Sequence, residues 1–134
     1  MEIKQVTSEI QSYIKSIIKK KSLESNVENP DTGFEIYLLS DKSAISVRIV
    51  AMEVPFIIFT IERKEFDFYL SDFESIFQIK QLLLSFLEGD YRCKVIGGVL
   101  SAIYWNDTTL TKFNRIFNEY DENDTILEEG VKWW

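Results

Sequence analysis

The chain has 134 residues, 46% hydrophobic and 14% aromatic, with only five Gly and two Pro, which is enough apolar material for one core and far from the composition of a disordered chain. A formal charge of −7 and a pI near 4.7 argue against binding to nucleic acid, whose affinity comes from Lys and Arg displacing counterions. Histidine is absent and Cys93 is the single cysteine, so the commonest general base, the commonest transition-metal ligand, an internal disulfide and a structural zinc site are all excluded.

The first segment places Ile3, Val6, Ile10, Tyr13, Ile14, Ile17 and Ile18 at spacings of three and four, with Lys4, Glu9, Gln11 and Lys15 on the other side; this predicts an amphipathic helix. Lys19, Lys20 and Lys21 follow at its C-terminal end, where the helix dipole favours positive charge. Ser22 to Gly33 is polar and ends in the turn formers Asn29, Pro30, Asp31, Thr32 and Gly33, which predicts the longest loop.

Four β-rich runs follow, Phe34 to Leu39, Ala44 to Met52, Phe56 to Ile61 and Phe66 to Leu70, and their short connections predict an antiparallel meander. Ile45, Val47, Ile49 and Ala51 alternate with Ser46 and Arg48, so the second run has one buried face. The third run, Phe56 to Ile61, shows no such alternation and is expected to need cover on both faces, with Pro55 before it and Glu62, Arg63 and Lys64 after it as guards against self-association.

Ser71 with Glu74 forms an S-x-x-E capping box ahead of Phe73, Ile76, Phe77, Leu83, Leu84 and Leu87, and Gly89 stands where a helix ends. Tyr91 to Ile96 and Val99 to Trp105 flank Gly97 and Gly98, a hairpin whose simplest register puts Tyr91, Cys93 and Val95 on one face with Leu100, Ala102 and Tyr104. Cys93 is then a small core residue. Thr108 or Thr109 caps a third predicted helix carrying Leu110, Phe113, Ile116, Phe117 and Tyr120, and a short strand or helical turn fits within Asp121 to Trp134. The expectation is a single α+β domain over residues 1–134, an antiparallel sheet of a four-strand meander plus a two-strand hairpin packed with about three helices, in the order α-β-β-β-β-α-β-β-α.

The N-terminal segment lacks the pattern of a signal peptide and no run approaches the roughly 18 apolar residues of a membrane span, so a cytoplasmic protein with no membrane partner is expected. No G-x-G-x-x-G or G-x-x-x-x-G-K-[ST] motif occurs, and Gly97 and Gly98 lie within a hairpin pattern and not ahead of a phosphate-binding helix. The acidic stretch Asp121, Glu122, Asn123, Asp124, Thr125 lacks the Gly that a calcium loop needs, with Ile126 in its place and Lys132 where the final Glu belongs. No metal, no cofactor and no catalytic residue is therefore expected, and the protein is read as a binder and not an enzyme.

Charge is distributed unevenly. Residues 1–21 carry Lys4, Lys15, Lys19, Lys20 and Lys21 against Glu2 and Glu9, while the C-terminal residues carry Glu119, Asp121, Glu122, Asp124, Glu128 and Glu129 against Arg115 and Lys132. Together with Trp133 and Trp134 these six carboxylates have the ingredients of a partner-binding surface, aromatic anchors beside charges that steer a basic protein.

The stretch IKQLLLSFLEGDYR, Ile79 to Arg92, resembles the helix-to-strand passage of small acidic immunity proteins of bacterial toxin systems. That resemblance implies a module that neutralises a cognate toxin by occluding its active surface with an acidic face, the partner being a basic toxin domain. The element order is also similar to the small acidic chaperones of type III secretion, which implies a homodimer, although an extra strand before the middle helix departs from their pattern.

Overall fold

The computed structural model describes residues 3–21, 25–28, 33–39, 43–50, 56–61, 64–97, 99–117, 128–130 and 132. The fold is α+β, with a five-stranded antiparallel sheet in the order β1-β2-β3-β4-β5 and a four-stranded antiparallel sheet in the order β8-β7-β6-β9. The elements are α1 (Ile3–Lys21), β1 (Ser25–Glu28), β2 (Gly33–Leu39), β3 (Ser43–Val50), β4 (Phe56–Ile61), β5 (Lys64–Tyr69), α2 (Ile76–Leu87), β6 (Tyr91–Ile96), β7 (Val99–Trp105), β8 (Arg115–Ile116) and β9 (Glu128–Glu129), with 3-10 turns at Leu70–Asp72 and Thr108–Phe113.

The helical periodicity of the first segment translates directly into packing. Val6, Ile10 and Ile14 are buried, with Tyr13, Ile17 and Ile18 packed at the margin of the core. Along the seam between α1 and α2, Lys80 bridges to Glu9 at 3.6 Å and lies 5.5 Å from the Tyr13 ring. Burial, and secondarily the carboxylate of Glu88, push the Tyr13 phenol above its usual value.

The meander forms as expected, with one strand added. Ser25–Glu28 pairs antiparallel with β2, Val27 opposite Ile36, within the stretch read from sequence as a loop. A strand made by pairing with a formed neighbour needs no apolar alternation of its own. In β4, expected to need cover on both faces, Ile57, Phe59 and Ile61 are buried, whereas Phe56, Ile58 and Thr60 are half-buried. The inner residues face the common core. The outer ones lie on a strand paired on either side with β3 and β5 of its own sheet.

Ser75, and not Ser71, caps α2. Its hydroxyl accepts from the Gln78 N–H at 3.2 Å, and the Gln78 side-chain oxygen accepts from the Glu74 N–H at 2.8 Å, so the box is S-x-x-Q, displaced by four residues, while Ser71 falls in the preceding 3-10 turn. The C-terminus has both bonds of a Schellman motif, Gly89 N–H to the Phe86 carbonyl at 3.2 Å and Asp90 N–H to the Ser85 carbonyl at 2.8 Å, closed by Gly89 at φ 67°.

The β6–β7 hairpin turns at Gly97 with φ 59°. Its register is irregular between Lys94 and Val95, so Tyr91 pairs with Trp105 and Cys93 with Ile103, in place of Tyr104 and Ala102. An extra residue on one strand moves every later side chain to the other face. That shift brings Trp105 and Ile103 into the core beside the buried Cys93.

The third helical segment is the 3-10 helix Thr108–Phe113, capped by Asp107, whose carboxylate accepts from the Thr109 N–H at 2.8 Å and its hydroxyl at 2.6 Å. Leu110 and Phe113 are buried as expected, but the chain then turns into β8, leaving Ile116 58% exposed. Two tertiary bonds hold this turn: Trp105 Nε1–H donates to the Phe113 carbonyl and the Trp105 N–H to the Asn114 side chain, each at 2.9 Å. Three threonines, poor helix formers, offer little resistance. Tyr120 lies outside the described residues.

A single aromatic cluster joins the two sheets. Phe59 of β4 lies 4.5 Å from Phe86 of α2 and 6.1 Å from Trp105 of β7, ring centre to ring centre, and also meets Phe66 and Phe68 of β5.

Candidate protein-binding surface

Of the residues selected from sequence as partner-binding, Glu119, Asp121, Glu122, Asp124, Trp133 and Trp134 lie outside the described residues. Glu128 and Glu129 form β9 and are exposed at the edge of the four-stranded sheet, opposite Cys93 and Arg92 respectively. The exposed Arg92 and half-buried Lys94 lie on β6 itself. Opposite charges across a strand pair attract weakly, so the acidity of this edge is offset within the chain. The approach of β9 is close: Gly130 N–H donates to the Tyr91 carbonyl at 2.7 Å, and a Cβ at Gly130 would stand 2.5 Å from the Gly89 carbonyl oxygen.

The outward face of the five-stranded sheet has a different character. On β5, Glu65, Asp67 and Tyr69 are exposed, Tyr69 to 49%, while Phe66 and Phe68 between them are buried. The β4–β5 register sets Thr60 opposite Glu65, Ile58 opposite Asp67 and Phe56 opposite Tyr69. Pairing onward through β3, β2 and β1 gives one row of positions Glu28, Glu35, Arg48, Phe56 and Tyr69, and a second row Asn26, Tyr37, Ser46, Ile58 and Asp67. On β4 and β5, Phe56, Ile58 and Tyr69 therefore stand beside the carboxylates Glu65 and Asp67. Large apolar groups beside carboxylates have the composition of a protein-binding surface.

In the sequence this face is less conspicuous than the density of carboxylates near the C-terminus. The signal was nevertheless present in KEFDFY, Lys64 to Tyr69, where acidic and aromatic residues alternate with a period of two.

Among the described residues no three His, Cys, Asp or Glu side chains converge as a metal cage would need. Among the same residues no helix is long and apolar enough to cross a membrane. No protein family, curated protein or solved structure matches the chain.

Proposed function

We propose that the protein is a non-catalytic binding module of the immunity type, which neutralises a basic toxin domain in the cytoplasm by covering its active surface. The observation that carries this reading is the outward face of β4 and β5, where half-buried Phe56 and Ile58 and exposed Tyr69 stand beside exposed Glu65 and Asp67. The aromatic groups supply contact area. The carboxylates steer a basic partner and favour it over acidic competitors, including nucleic acid. A net charge of −7 also disfavours pairing this face with a second copy of itself. Absence of histidine and burial of Cys93 support a role without catalysis.

The test is co-purification from the native host, followed by identification of the captured protein and co-expression with it. A basic partner, bound in equimolar amount, released by salt and toxic unless this chain is present, supports the reading. Glu65→Lys with Asp67→Lys is expected to slow association by about tenfold or more at low salt, as steering charges do. If Asp121→Lys, Glu122→Lys and Asp124→Lys has that effect instead, the C-terminal carboxylates are the site. If neither set alters binding or its salt dependence, the acidic-face mechanism is wrong.

A homodimeric secretion-type chaperone is the second reading, favoured by Phe77, which is 69% exposed on the first turn of α2. A dimeric mass for the free protein, with an unfolded segment of a secreted protein retained on it, would replace the immunity reading.

A further inference from the structure

A concave feature lies where the 3-10 turn after β5, the 3-10 helix Thr108–Phe113 and β8 meet. Asp72, Lys112, Phe113 and Arg115 line an open cavity of about 330 Å³, at the small end of the range for ligand sites. The rings beneath it are fixed. Phe113 stacks on Phe73 at 4.5 Å and meets Phe68 edge-on at 5.3 Å.

Two cations stand on these rings. The guanidinium carbon of Arg115 lies 4.3 Å from the centre of the Phe68 ring, and Lys112 Nζ lies 5.0 Å from the centre of the Phe113 ring. Lys112 donates to the Asp72 carbonyl oxygen at 2.7 Å and stands 4.0 Å from the Glu74 carboxylate. Arg115 makes one long hydrogen bond, 3.4 Å to the carbonyl of its neighbour Asn114, and has no carboxylate partner among the described residues. A guanidinium carries five donors, and stacking on an aromatic ring orders it while leaving its N–H edge available. Arg115 is thus a half-buried, stacked arginine in a chain with seven more negative than positive charges.

We propose that this cavity binds a small carboxylate. The carboxylate accepts a forked pair of hydrogen bonds from Arg115, and Lys112, which also holds the Asp72 carbonyl, supplies a second positive charge. Asp72 lines the wall and Glu74 stands beside Lys112, so the two cations face two carboxylates. A monoanion fits that balance better than a phosphate dianion. The proposal is independent of the partner surface on the five-stranded sheet.

The test is a titration of the full chain followed by amide and Arg115 Nε–H resonances, using propionate, inorganic phosphate and neutral propionamide at matched ionic strength. Propionate is expected to give saturable shifts at residues 112–115 and at Arg115 Nε–H, phosphate weaker ones, and propionamide none. Arg115→Gln should weaken propionate binding at least about tenfold, the loss expected for a charged hydrogen-bonding pair, and Arg115→Lys should fall between. Lys112→Gln, which also removes the bond to the Asp72 carbonyl, should weaken it severalfold while the far-ultraviolet circular dichroism stays that of the parent. Shifts no larger with propionate than with chloride, or an unchanged affinity in Lys112→Gln and Arg115→Gln, would overturn the proposal. A dipeptide with a free C-terminus binding more tightly than propionate, and losing that gain on amidation, identifies a peptide terminus as the source; equal affinities identify a free acid.

Discussion

The hairpins β4–β5 and β6–β7 are built alike and differ in what they present outward. Both direct one face at the same aromatic cluster, Phe59, Phe66 and Phe68 from the first and Tyr91 and Trp105 from the second. On the opposite face the first carries Glu65, Asp67 and Tyr69, whereas the second carries Arg92 and Lys94, with Glu129 of β9 set against Arg92. The buried halves answer a shared demand, to fill one core at high density. The outward halves are under no such demand, so their opposite charge is the better guide to function.

The comparison fails if the two sheets do not share a core. Phe59→Ala is expected to cost about 3–5 kcal/mol, the range for removing a buried Phe, because its ring touches β5, α2 and β7. Urea unfolding followed by tryptophan fluorescence and by far-ultraviolet circular dichroism should give coincident transitions at a lower midpoint. Separate transitions would show two cores.

A narrower change addresses the four-stranded sheet by itself. In Gly130→Ala the new methyl meets the Gly89 carbonyl oxygen at 2.5 Å and the Tyr91 ring at 2.8 Å, so β9 is expected to move away from β6 at a cost of about 1–3 kcal/mol, as for other overpacked sites. Hydrogen exchange should quicken at the Gly130 amide and leave the β4–β5 amides protected.

On the five-stranded sheet the expected result is the reverse. Glu65→Lys with Asp67→Lys should change stability by no more than about 0.5 kcal/mol per site, as exposed substitutions do, while partner association slows. A large loss of stability would mean that these carboxylates belong to the fold.

The smallest effect lies away from both faces. Tyr13 has its phenol pKa raised by burial and then by Glu88, so the folded state holds the proton to higher pH than the unfolded chain does. Its contribution to stability is complete below the unfolded value near 10 and is lost as pH rises through the folded value. Tyr13→Phe should flatten the decline in midpoint above pH 10 and leave the neutral range unchanged, as read by thermal unfolding across pH.

Much of the architecture was legible because periodicity is a local signal. The i, i+3 and i+4 spacing from Ile3 to Ile18 identified α1, the β-rich runs identified β2 to β5, and the paired glycines identified the β6–β7 turn. Capping was legible in kind but misplaced, since Ser71 with Glu74 and Ser75 with Gln78 both satisfy the box and the sequence contains no reason to prefer either. Leu110 and Phe113 suit an α-helix and a 3-10 helix equally, and it was the bonds from Trp105 to residues 113 and 114 that selected the shorter one. The candidate surface was obscured for a similar reason, because a cluster of carboxylates in sequence is conspicuous and a face assembled by the pairing of β4 with β5 is not.

By itself the sequence determined the α+β class, the two main helices, the meander, the hairpin and the core membership of residues such as Cys93, since each follows from the spacing of apolar side chains within a few residues. Only tertiary structure decided the register beyond the β7 irregularity, the added strands β1, β8 and β9, and which side of β4 meets water. Those features arise from pairing and packing between segments distant along the chain, and a two-residue strand or an exposed face has no local pattern from which it can be read.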